Sequence, residues 1–143
     1  MVYARDDISG AEKRPAEPAR IIVVEDDFLI AAQMEAALTD AGFDVVGLAT
    51  SADEVLKLAV SRHPALVVMD VRLDGPRDGI DAALELFRVH GIRCVFATAH
   101  HDHHARGRAK PAAPLGWLAK PYSMPALVEL VRQALRQLDD KLR

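Results

Sequence analysis

The sequence has few of the features that mark secreted, membrane-spanning or nucleic-acid-binding proteins. One cysteine among 143 residues excludes an internal disulfide. The longest apolar runs fall far short of the roughly 20 residues that cross a bilayer, and the charged N-terminus does not resemble a signal peptide. Aromatic residues make up only 5% of the chain, and no basic stripe is interleaved with them. We therefore expect a soluble, cytoplasmic protein that binds neither nucleic acid nor membrane.

Length and apolar content predict a single domain. Half of the residues are apolar, so a chain of this size can bury roughly two-thirds of its unfolded surface, but it is too short for two ordinary domains. Residues 1–19 mix charged residues with proline and glycine and show no apolar period, which predicts a disordered leader. The predicted domain then covers residues 20–140.

Five short apolar runs are interpreted as strands buried on both faces. They cover residues 21–24, 44–48, 66–70, 93–97 and 117–119. The third run, Leu66-Val67-Val68-Met69-Asp70, ends abruptly in a carboxylate. The fourth contains Cys94, which we expect to be a buried, unreactive thiol.

Helical patterns separate these strands. Ile30, Met34, Ala37 and Leu38 fall on one face of the first helix, and Ser51 is placed to cap a second helix that ends at Arg62. A third and a fifth helix show apolar faces of the same period. The fourth is interrupted by glycine and proline, so we expect a short or mobile helix from about 102 to 110. Alternating strands and helices predict an α/β fold with a doubly wound parallel sheet.

Reactive side chains follow four of the five predicted strands. Glu25 and Asp26 follow the first strand, Asp70 closes the third, Thr98 follows the fourth and Lys120 the fifth. The carboxyl ends of parallel strands share one edge of the sheet, where ligands bind in open α/β folds. We therefore expect these five side chains to converge.

Three converging carboxylates suit a divalent cation, because unpaired they would repel one another. Oxygen ligands with room for water favour Mg²⁺. Beside the metal, an aspartate can attack phosphorus and form an acyl phosphate. Lys120 would pair with the phosphoryl charge, and the rotatable hydroxyl of Thr98 could donate to the same group.

The motifs resemble, in order, the receiver domain of bacterial two-component response regulators over residues 20–140. They are Val-Val-Glu-Asp ending at Asp26, Met-Asp ending at Asp70, Ala-Thr-Ala around Thr98 and Lys-Pro-Tyr beginning at Lys120. The resemblance implies a flavodoxin-like five-stranded sheet of order 2-1-3-4-5. It also implies that Asp70 accepts a phosphoryl group from a phosphohistidine, with Thr98 moving toward that group and Lys120 contacting it. Mg²⁺ would be held by Asp26, Asp70, the backbone carbonyl of Arg72 and, through water, Glu25.

The resemblance further implies partners and a mode of signalling. The phosphodonor would be a histidine kinase or a histidine phosphotransfer protein, and the chain would catalyse only its own phosphorylation and dephosphorylation. No output domain follows the last helix, which suggests a stand-alone receiver, monomeric or weakly dimeric. Such a receiver would signal to a downstream protein through a conformational switch or onward phosphotransfer.

The chain is also similar to a subgroup of alphaproteobacterial single-domain receivers, in Phe96-Ala97-Thr98 and in residues 116–122. That subgroup usually has glycine at the position of Ala99. Trp117 occupies the position of an aromatic residue that rotates on activation in many receivers. Whether Trp117 switches, packs as a core aromatic or contacts a partner is left open by the sequence.

Two alternative functions fit parts of this pattern. A haloacid-dehalogenase-like phosphohydrolase would use the same aspartate and Mg²⁺, but it carries a second aspartate two positions later, where this chain has Arg72. A degenerate receiver that only binds partners is disfavoured because the acidic, threonine and lysine positions are all filled.

Several polar residues have simpler interpretations. Asp27 is expected to cap the first helix, and Asp74, Asp78 and Asp81 to serve the turn and start of the third. His100, His101, His103 and His104 suggest a transition-metal site. All four lie in one loop, without the spaced second pair of ligands that a structural zinc site needs, so we expect a solvated loop instead. Arg72 and His100 each follow a site residue by two positions, where the resemblance implies an influence on phosphoryl lifetime.

Overall fold

The computed structural model describes residues 17–99 and 102–141, and it confirms the predicted alternation of five strands and five helices. The strands are β1 (Arg20–Val24), β2 (Asp44–Ala49), β3 (Leu66–Asp70), β4 (Cys94–Ala99) and β5 (Gly116–Lys120). The helices are α1 (Phe28–Asp40), α2 (Ala52–Arg62), α3 (Gly79–His90), α4 (His103–Ala109) and α5 (Met124–Lys141), and a 3₁₀ turn over Lys110–Ala112 follows α4.

The five strands form one parallel sheet in the order β2-β1-β3-β4-β5. The chain therefore has the predicted flavodoxin-like, doubly wound fold. Strand β3 lies at the centre and is buried at every residue, as its unbroken apolar run predicted. The strand order reverses between β1 and β3, which opens a crevice at their carboxyl ends.

Two hydrophobic cores lie on opposite faces of the sheet. On one face, α2, α3 and α4 cover side chains such as Val67, Met69 and Phe96. On the other face, α1 and α5 cover Val68 and Val95. Cys94 is buried in the first core, and this burial raises the pKa of its thiol to about 12, in accord with the predicted buried thiol.

Side chains that the sequence assigned to helix ends do cap helices. The carboxylate of Asp27 accepts hydrogen bonds from the amides of Leu29 and Ile30, and the Ser51 hydroxyl accepts one from Glu54. Asp78 and Asp81 form a capping box, in which each side chain accepts the other's backbone N–H. These four polar residues therefore have the local roles expected of them.

The apolar face predicted for the first helix is buried only in part. Ile30 is 38% exposed, whereas Met34 and Leu38 are buried together with Ala31. Phe28 and Leu29, in the first turn of α1, are also exposed, at 77% and 72%. An apolar surface consequently lies at the start of α1.

The chain outside these elements is described in part. Residues 1–16 of the predicted leader, and His100 and His101 of the histidine loop, lie outside the described residues. Residues 17–19 form no helix or strand, but the Ala19 carbonyl accepts a hydrogen bond from the amide of Asp44. Within the part of the chain that the structure describes, no helix has the length and apolarity needed to span a bilayer.

Candidate functional site

The carboxyl ends of β1, β3, β4 and β5 bring the predicted site residues to one edge of the sheet. Glu25 and Asp26 follow β1, which pairs directly with β3, the strand that ends at Asp70. Thr98 lies near the end of β4, and Lys120 is the last residue of β5. The crevice beside β1 and β3 is therefore lined by acids, with a hydroxyl and an ammonium group on the next two strands.

Asp70 is held by hydrogen bonds to both carboxylate oxygens. Its side chain is only 4% exposed. The Lys120 Nζ atom lies 3.0 Å from Asp70 Oδ2, and the Arg72 amide donates to Oδ1 at 3.2 Å. A buried carboxylate needs such partners, because desolvation without them is costly. The ion pair also places a flexible ammonium group beside the acids of the crevice.

Glu25, Asp26 and Asp70 form the metal-compatible cluster found among the described residues, 17–99 and 102–141. One carboxylate oxygen from each lies within 4.8 Å of the other two. Glu25 and Asp70 are buried, whereas Asp26 is exposed, so the cluster opens to solvent on one side. All its donors are hard oxygen atoms, the kind that bind Mg²⁺.

Burial is the main influence on the ionisation of Glu25. Together with the charge on Asp70 it raises the pKa of the Glu25 carboxyl to about 7, against the lowering effects of the hydrogen bond from the Asp27 amide and the charge on Lys120. That amide donates to Glu25 Oε2 at 3.0 Å. Burial therefore opposes ionisation of one of the three acids in the cluster.

Thr98 is turned toward helix α4. Its side chain is 4% exposed, and its hydroxyl donates to Asp102 Oδ2 at 3.4 Å, which is long for a hydrogen bond of this type. Asp102 also caps α4 by accepting from the Ala105 amide at 3.0 Å. The sequence did not single out Asp102, although an acid just before a helical segment is a recognised capping signal.

Trp117 contacts both an aromatic ring and a guanidinium group. Its ring lies 4.7 Å from that of Phe96, and the Arg106 guanidinium lies 4.8 Å from the Trp117 ring centre. Trp117 is half-buried, so it has both a core side and a surface side. Arg106 was not identified from the sequence, because its position over the indole depends on how α4 packs against β5.

Gly79 is a further residue that the sequence did not identify. A Cβ atom at this position would lie 1.9 Å from the carbonyl oxygen of Asp70. The Gly79 amide also donates to the Val71 carbonyl at 2.8 Å. The absence of a side chain therefore lets the start of α3 pack directly against the backbone of Asp70.

A groove of about 440 Å³ adjoins the site on the side of α1 and α5. Glu25 and Lys120 line its polar end, and Ile30, Tyr122 and Met124 line its apolar part. Burial and the charges of Glu25 and Asp70 raise the pKa of the Tyr122 phenol to about 12. Phe28 and Leu29 lie at the start of the same helix as Ile30, so the acid cluster and an apolar surface are neighbours.

Comparison with known proteins gives a consistent result. Residues 21–132 match the family model of the response regulator receiver domain. The chain is 34% identical over 120 residues to the transcriptional regulatory protein PdtaR of Mycobacterium tuberculosis, covering 84% of this chain and 58% of that protein. It is 30% identical over 130 residues to the phyllosphere-induced regulator PhyR of Methylorubrum extorquens, covering 90% of this chain and 48% of PhyR. The chain thus spans about half the length of these relatives.

Solved structures are similar as well. The signal receiver domain of a modulated diguanylate cyclase from Desulfovibrio desulfuricans superposes with a TM-score of 0.79 at 28% identity, covering 87% of this chain and 98% of that one. The response regulator PhyR from Brucella abortus superposes with a TM-score of 0.74 at 28% identity, covering 87% of this chain and 51% of that one.

Proposed function

This chain belongs to the response regulator receiver domain family of two-component signalling, and on that basis we propose that it accepts a phosphoryl group on Asp70. The observation that carries the proposal is the buried Asp70 carboxylate, which shares one crevice with Glu25 and Asp26 and has the Lys120 ammonium 3.0 Å away. This arrangement combines a nucleophile, a cation site and a positive charge for the phosphoryl oxygens.

The residues present suit Mg²⁺. Three carboxylates offer oxygen atoms within 4.8 Å of one another, and a divalent cation would neutralise their mutual repulsion. In this proposal Asp26, Asp70 and the Arg72 carbonyl bind the ion directly, and Glu25 binds through water. The bound ion would offset the charge of the incoming phosphoryl group.

The transfer step uses the chain's own side chains. A carboxylate oxygen of Asp70 forms a bond to phosphorus while the bond from phosphorus to the donor histidine nitrogen breaks, and the nitrogen keeps the electron pair. Lys120 then contacts a phosphoryl oxygen, and Thr98 turns from Asp102 to donate to another. The family is not one of classical enzymes; we propose that the chain promotes only its own phosphorylation and dephosphorylation.

The proposed phosphodonor is a histidine kinase or a histidine phosphotransfer protein, in a cytoplasmic phosphorelay. The exposed side chains of Phe28 and Leu29 and the groove beside Lys120 support such an encounter, because apolar surface next to a reactive group suits a docked partner. A downstream protein target would read the phosphorylated state. We propose that the chain acts as a monomer or a weak dimer.

Phosphorylation in vitro tests the assignment of Asp70. On incubation with Mg²⁺ and acetyl phosphate, we expect the wild-type protein to gain the mass of one phosphoryl group and Asp70→Asn to gain none. Asp74→Asn is the matched control, because Asp74 is an exposed acid in the same loop and should leave labelling unchanged. Equal labelling of the wild type and Asp70→Asn in intact mass spectra would show that another residue is the acceptor.

A further inference from the structure

Helix α4 is tied to the candidate site at both ends. At its N-terminus, Asp102 caps the helix and accepts the Thr98 hydroxyl. Near its C-terminal end, Arg108 reaches the capping box of α3, with Arg108 Nη1 2.7 Å from Asp78 Oδ2 and Nη2 3.0 Å from Asp81 Oδ1. The Arg108 contacts are shorter than the hydroxyl contact and involve full charges.

The residues that Arg108 contacts lie next to the backbone of Asp70, the proposed phosphoacceptor. Asp78 precedes Gly79, whose Cα approaches the Asp70 carbonyl so closely that no side chain fits there. Burial raises the pKa of the Asp78 carboxyl, but hydrogen bonds from Arg108 and Asp81 outweigh this effect, so the pKa lies below its ordinary value. Asp78 therefore stays ionised and paired with Arg108 at neutral pH.

The apolar packing of α4 is slight. The helix has seven residues, of which only Ala105 and Ala109 are buried, and it contains Gly107. Alanine buries little apolar area, and glycine weakens a helix interior. A polar cavity of about 530 Å³, lined partly by Arg72, Asp102 and His104, separates α4 from the loop after β3. The Arg108 ion pairs therefore add a polar attachment to a helix that buries little apolar surface.

In the observed position of α4, both side chains proposed to contact a phosphoryl group have partners within the protein. Lys120 is paired with the Asp70 carboxylate itself, and Thr98 is turned toward Asp102. If Thr98 turns to a phosphoryl group, Asp102 loses this donor, so the N-terminal tie of α4 weakens. The Arg108 pairs remain and hold the helix where it was.

We propose that Arg108, Asp78 and Asp81 form a latch that holds α4 in its unphosphorylated position and opposes activation. The latch rests on the proposed function, because it acts on the equilibrium that phosphorylation of Asp70 would shift. A phosphoryl group can be fully bound only when the latch has opened. The measured affinity for that group is therefore reduced in proportion to the fraction of molecules in which the latch is closed.

The test measures the affinity for beryllofluoride, a phosphoryl analogue, in the presence of Mg²⁺. Trp117 is the only tryptophan, and it stacks under Arg106 of α4, so its fluorescence reports the position of the helix. We expect Arg108→Ala to bind beryllofluoride about 3- to 10-fold more tightly than the wild type, the range of a modest coupling between sites. Calorimetric titration provides a second readout that is independent of the indole.

Arg77→Ala is the matched control. Arg77 also bridges two carboxylates, Asp53 of α2 and Glu85 of α3, but neither belongs to α4. We expect this variant to bind beryllofluoride as the wild type does. Asp81→Asn gives a milder second variant, because its amide oxygen can still cap α3 while the charge facing Arg108 is lost; its affinity should rise by a smaller factor.

The outcomes separate the latch from the proposed function. If wild type and Asp70→Asn respond alike, the phosphoacceptor assignment fails. If the wild type responds, Asp70→Asn does not, and Arg108→Ala and Asp81→Asn bind no more tightly than the wild type, the latch is wrong and the phosphoacceptor assignment stands. An equal gain in affinity in Arg77→Ala would also overturn it, because the effect would then follow from any lost ion pair.

Discussion

At the scale of single residues, the site depends on a glycine as well as on its acids. The turn after Asp70 folds back so tightly that the first residue of α3 rests on the Asp70 carbonyl. A Cβ at Gly79 would also lie 2.8 Å from the Cγ of Met69, so the obstacle is backbone on one side and packed core on the other. Neither can move without displacing the end of β3.

We therefore expect Gly79→Ala to lower the free energy of unfolding by about 1–3 kcal/mol, as overpacking does. Gly107→Ala is the control, because nothing lies within 4 Å of a Cβ there and alanine favours a helix interior. It should raise the free energy of unfolding by about 0.5–1 kcal/mol. Urea denaturation measures both, and a Gly79→Ala variant as stable as the wild type would refute the close approach.

At the scale of helices and strands, polar residues next to the site need to be separated into those that act in it and those that only begin a helix. Asp27 directly follows the acid pair Glu25 and Asp26, so its charge could belong to the cluster. Its carboxylate instead accepts the amides of Leu29 and Ile30 at the start of α1. This contact assigns Asp27 to the helix.

This assignment predicts different results for two substitutions. Asp27→Ala should lower the free energy of unfolding by about 1 kcal/mol, because the helix loses its cap. Asp27→Asn should remain close to wild-type stability, since asparagine caps as well as aspartate does. Thermal or urea unfolding distinguishes the two, and equal losses in both variants would mean that the charge matters and the cap does not.

The same scale shows what the sequence could and could not predict. Strand β3 and its final Asp70 were predictable, because an unbroken apolar run ending in an acid is a local pattern. The exposure of Ile30 was not, because it depends on how the first turn of α1 packs against the rest of the fold. Arg106 and Arg108 escaped detection for a similar reason: their partners, Trp117 and Asp78, meet them only after the chain has folded.

At the scale of the whole molecule, the proposed cation site would link ion binding to the stability of the fold. The three acids at the carboxyl ends of β1 and β3 converge only in the folded chain, so a cation that bound all three would bind the native state. Mg²⁺ should therefore raise the free energy of unfolding, by about 2.7 kcal/mol when its concentration is 100 times the dissociation constant. The melting temperature should rise accordingly.

Thermal unfolding with Mg²⁺ or with excess EDTA measures this effect. We expect Asp26→Asn to lose most of the Mg²⁺-dependent shift, because a charged ligand becomes neutral while the residue stays exposed and the core intact. Asp74→Asn should keep the full shift. An Mg²⁺ effect of the same size in all three proteins would point to nonspecific ion binding and against this cluster.

The sheet itself separates two surfaces that adjoin the site. The groove beside Tyr122 and the apolar start of α1 lie on the side of α1 and α5, whereas α4 and its Arg108 contacts lie on the side of α2 and α3. A phosphodonor and a target that used these opposite sides would not compete for the same atoms. A target protein could then bind the receiver while the phosphodonor is still bound. A three-protein assembly is therefore compatible with this architecture.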